Sequence, residues 1–304
     1  MNVRVRLVSL LLILTVGVSA APPVRRSGFV TVKGGVKLHY LEWTGAGGGG
    51  EVVVMLAGLG NDATIFDTFA PKFADRFRVY ALTRRGFGAS DKPATGYDVA
   101  TRVEDVRGFL DARGIRRVSL VGHSIAGDEL TAFASAYPER VRKLVYLDAA
   151  YNRSRKYAER MVDDPGVSPE QKKLMLEALG SPRAAKIVDT NPLSPQVRAI
   201  RLQMMKGSLA YEPDYRRVRA PALALYATPK DHPRSAREPS AQIRARDNAW
   251  WRANVIPVMR ATIEQFRREA SRGEIVEMPN ADHFLFRGVT EGEAVRRTRE
   301  FLLR

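Results

Sequence analysis

Residues 118–127 read Val-Ser-Leu-Val-Gly-His-Ser-Ile-Ala-Gly, and this stretch decides the fold. Apolar and β-branched residues lead into Ser124, and a segment compatible with a helix, residues 128–137, follows at once. A strand, a sharp turn and a helix in that order form a nucleophile elbow, in which the serine has strained backbone geometry. The positions two before and two after the serine must then be small, and they are Gly122 and Ala126. The stretch predicts a serine nucleophile; the alternative is a helix N-cap serine after a buried strand.

Two more motifs precede the elbow, and each follows a segment that reads as a buried strand. Residues 51–56 (EVVVML) end in Ala57-Gly58-Leu59-Gly60-Asn61, and residues 77–82 (FRVYAL) end in a turn, residues 83–91 (TRRGFGASD). Three such motifs in this order are far more specific than the elbow alone.

These three motifs resemble those of the α/β-hydrolase family, and the resemblance extends from about residue 29 to the C-terminus. The family's oxyanion loop, often His-Gly-x-x, corresponds to the loop that starts at Ala57. Its Asp-x-Arg-Gly-x-Gly-x-Ser turn has Thr83 in place of the first acid. The resemblance implies an α/β fold with a mostly parallel central sheet flanked by helices. Residues 28–150 and 219–304 would form this core, and residues 151–218 a small helical cap inserted after the sixth strand.

The N-terminus has the layout of a secretory signal peptide. Arg4 and Arg6 precede an apolar run, residues 7–18, and small residues follow before Ala21. The run is too short to span a bilayer, which takes about 20 residues. We therefore predict a signal peptide over residues 1–20 and a periplasmic or extracellular bacterial protein, with an uncleaved anchor as the alternative. The chain has no cysteine, which excludes a disulfide framework.

The chain of 304 residues carries a net charge of +16, which favours anionic surfaces. Its arginines are spread along the sequence without a compact basic block, so we predict no specific nucleic-acid partner and at most a weak association with anionic surfaces. No metal-ligand spacing or dinucleotide-binding glycine-rich turn is present. The sequence thus predicts a small-molecule substrate without a metal or cofactor, and it says nothing of oligomeric state.

Residue patterns also predict local elements. Residues 29–32 and 36–43 alternate as an antiparallel hairpin that turns at Gly34-Gly35, and residues 45–50 read as the loop of a second hairpin. Residues 241–271 form a long predicted helix in which Trp250 and Trp251 cannot face the same way.

A serine hydroxyl needs a base within hydrogen-bond reach, and the chain has four histidines. His283 follows the last predicted strand, where the family places its base, whereas the side chain of His123 would point away from the nucleophile. An acid must orient this base. Asp231 after the seventh strand and Asp148 at the end of the sixth are both candidates, and haloalkane dehalogenases use the latter position.

The backbone N–H groups of Leu59 and Ile125 are the predicted oxyanion hole. These residues predict a cofactor-independent serine hydrolase of small or medium carboxylic esters that works through an acyl-Ser124 intermediate. The alternatives are amide or carbon–carbon bond hydrolysis, perhydrolysis, or a non-catalytic ligand-binding protein with the same fold, since a fold does not fix a substrate.

Overall fold

The computed structural model describes residues 22–47, 49–153, 155–188 and 193–304. The predicted signal peptide, residues 1–20, lies outside the described residues. Among the described residues, no helix is both long and apolar enough to cross a membrane.

The centre of the molecule is an eight-stranded sheet with the order β1-β2-β4-β3-β5-β6-β7-β8. Strands β3 to β8 run parallel, while β2 pairs antiparallel with both β1 and β4. This mostly parallel sheet with flanking helices confirms the predicted fold class. The strands are β1 (Val24–Thr31), β2 (Lys37–Thr44), β3 (Glu51–Leu56), β4 (Phe77–Leu82), β5 (Val118–His123), β6 (Val141–Leu147), β7 (Ala222–Ala227) and β8 (Gly273–Met278).

Both faces of the sheet are buried. Successive side chains of a strand point to opposite faces, so one strand contributes residues to two cores. Along β3, Val54 and Leu56 belong to one apolar core, and Val53 and Met55 belong to the other. Parallel sheets covered on both sides require such continuous apolar strands. The helices are α1 (Val99–Ala112), α2 (Ala126–Ala136), α3 (Arg155–Met161), α4 (Pro169–Ala178), α5 (Pro195–Leu209), α6 (Ala241–Glu269) and α7 (Glu291–Leu303).

Helices α1, α2 and α6 contribute to the first core, and α7 contributes to the second. Helix α6 closely matches the predicted residues 241–271. Its Trp251 is buried, whereas Trp250 is only half-buried, in agreement with the different directions expected of adjacent residues.

The first predicted hairpin is confirmed, since β1 and β2 pair antiparallel around a turn that contains Gly34 and Gly35. The second is wrong. Residues 45–50 connect β2 to β3, but β4 lies between these two strands in the sheet. The connection is therefore a crossover that passes the end of β4, and the amide of Gly45 donates to Ala74 O, just before that strand.

Helices α3, α4 and α5 lie between β6 and β7, in the segment for which the sequence predicts a helical insertion. Ser168 caps α4 with a reciprocal capping box, in which its side chain and that of Gln171 each accept a backbone N–H of the other residue. We call the chain between β6 and β7 the inserted segment; residues 154 and 189–192 within it lie outside the described residues.

Candidate active site

Ser124 lies on the turn between β5 and α2, with a positive φ of 56°. This left-handed conformation is uncommon for a residue other than glycine and marks stored backbone strain. A Cβ atom at Gly122 would lie 2.7 Å from Leu130 Cδ1, so the residue two positions before the serine must be small. The geometry is that of the predicted elbow.

The tightest approach around the elbow is at Gly127, three positions after the serine. A Cβ atom there would lie 1.9 Å from the carbonyl oxygen of Ala149, which no rearrangement of a side chain could relieve. Ala126, by contrast, fits with its Cβ in place and is fully buried. The sequence motif predicts a limit on side-chain size at Ala126, but the contacts place the stricter limit at Gly127.

His283 joins Ser124 to Asp148. Its Nε2 lies 2.9 Å from Ser124 Oγ and its Nδ1 lies 2.7 Å from Asp148 Oδ2. Because the carboxylate only accepts, Nδ1 carries the ring proton and Nε2 presents a lone pair to the serine hydroxyl. The ring is thus oriented to take the serine proton, the arrangement on which serine hydrolases depend.

Asp148 is itself fixed on three sides. Its Oδ1 accepts from the backbone N–H of Ala227 at 3.0 Å and from the Tyr151 hydroxyl at 2.5 Å, while Oδ2 faces His283. Its φ is +47°, a conformation that aspartate adopts more readily than most residues. These contacts bury the carboxylate and fix its direction toward the imidazole.

The other candidate acid lies elsewhere. Asp231 is half-exposed, and its carboxylate pairs with Arg252 of α6. Asp282, beside the base, accepts from the backbone N–H of Phe284. Of the aspartates considered from the sequence, the structure brings only Asp148 to His283.

The loop after β3 lies directly against the elbow. A Cβ atom at Gly58 would lie 2.8 Å from His123 Nδ1 and 3.2 Å from Ser124 Cβ, so only glycine allows this approach. Leu59 and Ile125 both line the cavity beside Ser124. Neither backbone N–H donates to a protein acceptor among the described residues. Both residues therefore lie beside the nucleophile with backbone N–H groups that no described protein acceptor occupies, and the oxyanion hole stays a prediction.

A buried arginine, Arg84, donates hydrogen bonds to backbone carbonyl groups of this loop. Arg84 Nη2 donates to Ala57 O at 2.7 Å, and Nη1 lies 3.5 Å from Gly58 O. The carbonyl of Gly58 and the N–H of Leu59 belong to one planar trans peptide and point in opposite directions. Arg84 on the carbonyl side thus helps to direct the N–H of Leu59 away from itself.

Arg84 belongs to a buried ionic network that also reaches the elbow helix. Its Nε donates to Glu129 of α2 at 3.1 Å, and Glu129 accepts from Arg102 of α1 at 2.5 Å. Arg102 in turn lies 3.3 Å from Ser208 Oγ on α5. Burial lowers the pKa of the Arg102 guanidinium, while the charge of Glu129 opposes this effect. The network connects the loop after β3, the elbow helix and the inserted segment.

His123, next to the nucleophile, packs beneath the base. Its ring centre lies 4.6 Å from that of His283, and its Nε2 lies 2.8 Å from the carbonyl oxygen of His283. Nε2 therefore donates. Burial, followed by the nearby His283, lowers the pKa of His123 well below its ordinary value, which keeps the ring neutral. Sequence reasoning had His123 pointing away from the nucleophile and missed this contact.

Arg153 is a cation beside the nucleophile, but its donors are directed at the protein. Nη2 donates to Ser124 O at 2.7 Å, and Nη1 contacts Asp128 at 3.1 Å and Ala149 O at 3.1 Å. Asp128 is fully buried, and this burial raises the pKa of its carboxyl. Arg153 therefore stabilises the turn that carries Ser124.

A cavity of about 440 Å³ opens above Ser124 and His283. This is within the usual range for small-molecule sites, which is roughly 300–1,000 Å³. The inserted segment and α6 supply most of its wall, which is apolar and rich in methionine: Met161, Met175, Met205, Leu209, Trp251 and Met259. Methionine side chains are flexible and adapt to ligands of different shape. Within the described residues, no group of three or more histidine, aspartate or glutamate side chains is placed to hold a metal ion.

Comparisons with known proteins agree with this fold. The profile of the alpha/beta hydrolase family matches residues 53–297, and the chain belongs to this family. The stretch that aligns with 2-(acetamidomethylene)succinate hydrolase of Mesorhizobium japonicum is 32% identical over 101 residues, 33% of this chain and 36% of that protein. A 2-hydroxy-6-oxononadienedioate/2-hydroxy-6-oxononatrienedioate hydrolase of Paraburkholderia xenovorans is 38% identical over 142 residues, 44% of this chain and 48% of that protein.

The chain spans less than half the length of the curated relatives it matches. Over the whole fold, the crystal structure of E-2-(acetamidomethylene)succinate hydrolase superposes with a TM-score of 0.63 at 22% identity. That superposition covers 92% of this chain and 100% of the other. This similarity shows a shared fold. It does not assign a relative's substrate to this chain.

Proposed function

We propose that this chain is a serine hydrolase of carboxylic esters with small or medium apolar groups. The observation that carries the proposal is the hydrogen-bonded series from Ser124 through His283 to Asp148, which opens into an apolar cavity. Such a series activates a serine hydroxyl that would otherwise be a poor nucleophile near neutral pH.

The reaction follows from the positions of these atoms. His283 Nε2 takes the proton of Ser124 Oγ as the oxygen attacks the ester carbonyl. The backbone N–H groups of Leu59 and Ile125 stabilise the resulting oxyanion. His283 then gives its proton to the leaving alcohol, and the acyl-Ser124 ester forms. A water molecule, deprotonated by the same imidazole, hydrolyses this ester and releases the acid.

Carbon–carbon bond hydrolysis is the second candidate, because one relative is named for the hydrolysis of an oxo-dioate. A substrate with carboxylates needs cationic partners in the cavity. Among the residues that the structure describes, Arg153 is the arginine or lysine that lines it, and this side chain already contacts Ser124 O, Asp128 and Ala149 O. Because the guanidinium of Arg153 already donates to these protein acceptors, the cavity favours an uncharged ester over a dicarboxylate.

The test is turnover of 4-nitrophenyl esters of increasing acyl length beside a 2-hydroxy-6-oxo-dienoate. We expect ester hydrolysis by the wild type, no turnover by Ser124→Ala, and little cleavage of the dienoate. A folded wild type that cleaves the dienoate and leaves every ester intact would contradict the ester assignment and favour the second candidate.

The inserted segment would act as a cap, since its residues Tyr151, Met161, Met175 and Met205 line the cavity above Ser124.

We also propose that residues 1–20 direct export, as their charged, apolar and small-residue parts indicate. Expression of the full chain in a bacterial host, followed by fractionation and intact mass, tests this. A periplasmic product shortened by about the length of a signal peptide is expected, and a full-length cytoplasmic product would contradict export.

A further inference from the structure

One charged side chain in the cavity wall has no part in the proposed mechanism. Asp164, in the inserted segment between α3 and α4, is 8% exposed and lines the same cavity as Ser124. Its Oδ1 accepts from His232 Nε2 at 2.8 Å and from the backbone N–H of Gly166 at 2.6 Å. Its Oδ2 has no hydrogen-bond partner among the described residues, and it is not one of the fully enclosed unpartnered atoms. Asp164 thus places a carboxylate in the wall of a cavity that is mostly apolar and that Arg153 also lines.

The pair formed by His232 and Asp164 carries a net negative charge. The backbone N–H of Arg234 donates to His232 Nδ1 at 3.2 Å, so the Nδ1 lone pair accepts this hydrogen bond and Nδ1 carries no proton. The ring proton is therefore on Nε2, and the imidazole is neutral while it donates to Asp164. Trp251 packs edge-on against the His232 ring at 5.3 Å between ring centres, and both His232 and Asp164 are buried.

The arrangement is rigid. Arg234 Nη1 donates to Pro165 O at 2.8 Å, and a Cβ atom at Gly166 would lie 2.6 Å from His232 Cε1. The turn that carries Asp164 is therefore held against the residues after β7 on both sides of the carboxylate. A ligand would meet an oxygen whose position is already fixed, which lowers the entropic cost of binding.

From these contacts we infer that Asp164 determines substrate specificity. The substrate places a hydrogen-bond donor, such as a hydroxyl, amide N–H or ammonium group, against Asp164 Oδ2, and the site rejects substrates with a carboxylate there. The inference deepens the proposed function and rests on it, because Ser124 and Asp164 line one cavity. A desolvated carboxylate binds donors strongly and repels anions, since few water molecules screen its charge.

Asp164→Asn separates charge from structure. The amide oxygen still accepts from His232 and Gly166, but the charge at the second position is lost. Asp163→Asn is the matched control, because Asp163 is the preceding residue, is half-exposed and pairs with Lys172 and Arg183 outside the cavity.

The experiment measures binding and turnover separately. Hexylammonium, hexan-1-ol and hexanoate are titrated into the Ser124→Ala variant, alone and combined with each aspartate change, and binding is measured by calorimetry. We expect hexylammonium to bind more tightly than hexan-1-ol and hexanoate to bind most weakly. Asp164→Asn should weaken hexylammonium binding about tenfold or more, the usual loss for a hydrogen bond to a charged group. Asp163→Asn should leave all three affinities unchanged.

Turnover of 6-aminohexyl acetate, whose ammonium group can donate, and its neutral isostere, heptyl acetate, is then compared in wild type and Asp164→Asn. The ratio of kcat/KM for the cationic ester to kcat/KM for the neutral ester should fall in the variant. Equal binding of the three ligands, or the same ranking after Asp164→Asn, would overturn the inference even if esters are hydrolysed. If the three affinities follow the expected ranking but no ester is turned over, the proposed function is contradicted. The role of Asp164 in ligand selection would still hold.

Discussion

Nε2 of His123 lies 2.8 Å from the backbone carbonyl oxygen of His283, so the residue before the nucleophile holds the backbone of the base. The same ring packs against Gly58, where a Cβ atom would lie 2.8 Å from Nδ1. One side chain therefore connects the elbow, the loop that carries His283 and the loop after β3. Its Nδ1 has no partner among the described residues, and a second ring proton would be buried against the Gly58 backbone.

This relationship predicts a specific dependence of stability on pH. Burial lowers the pKa of His123 in the folded state, so the unfolded state binds more protons as the solution becomes acidic. The contribution is fully present above the unfolded pKa of about 6.5 and is lost as the pH falls toward the folded value. His123→Gln can still donate to His283 O but does not titrate.

We therefore expect the unfolding free energy of the wild type, measured by urea denaturation between pH 8 and pH 5, to fall more steeply than that of His123→Gln. Parallel curves for the two proteins would show that His123 is not the group responsible.

The identity of the orienting acid predicts unequal effects of two similar substitutions. Asp148→Asn removes the charge that stabilises the imidazolium of His283, and a loss of about 10³- to 10⁴-fold in kcat is expected. Asp231→Asn removes only an exposed pair with Arg252, so kcat should stay within about twofold of the wild type. Steady-state kinetics with a neutral 4-nitrophenyl ester distinguish them. A larger loss for Asp231→Asn would reverse the assignment.

Arg84 predicts a change in catalysis that Arg85, its neighbour, does not share. Both guanidinium groups are buried and ion-paired, but Arg84 contacts the oxyanion loop while Arg85 forms a two-pronged pair with Asp105. Lysine at either position keeps the charge and loses the fork. Arg84→Lys should lower kcat about tenfold at similar KM, less than the 10²- to 10³-fold cost of a lost oxyanion donor.

The control for this prediction is Arg85→Lys, which should lower the melting temperature and leave kcat near the wild-type value. Affinity for a trifluoromethyl ketone, which forms a tetrahedral adduct with serine, should fall with kcat in Arg84→Lys only. If both variants lose kcat and inhibitor affinity equally, Arg84 has no special role in positioning the loop.

The elbow predicts that enlarging one of two adjacent small residues costs more stability than shrinking the other. Gly127→Ala places a methyl group against Ala149 O. The free energy of unfolding should fall by about 3 kcal/mol or more, at the upper end for overpacked sites. Ala126→Gly removes a methyl at the start of α2 and should cost about 1 kcal/mol. Urea denaturation measures both. A Gly127→Ala variant as stable as the wild type would contradict the close packing of the turn against Ala149.

Much of the fold follows from local sequence, because strands buried on both faces and motifs at their carboxyl ends have distinct patterns. Ser124 and His283 could be proposed from chain order and from their positions after β5 and β8. The choice between Asp148 and Asp231 could not, since it depends on the N–H of Ala227 from the adjacent strand and on the hydroxyl of Tyr151. These are contacts between segments, which composition and spacing do not encode.

The same limit explains the error at residues 45–50. Glycines between two strands predict a turn, but whether the strands pair depends on β4, which inserts between them. From the sequence, Arg84 is likewise identified only as part of the turn motif of residues 83–91. Its role depends on a contact with Ala57, 27 residues earlier in the chain.

The most direct test of the account is labelling with a fluorophosphonate, which reacts with activated serines, followed by intact mass and peptide mapping. The wild type should gain one adduct on Ser124, Ser124→Ala should gain none, and His283→Ala should react at least about a hundredfold more slowly, as expected when the general base is lost. An adduct on another residue, or equal labelling of Ser124→Ala, would contradict the central claim that Ser124 is the nucleophile.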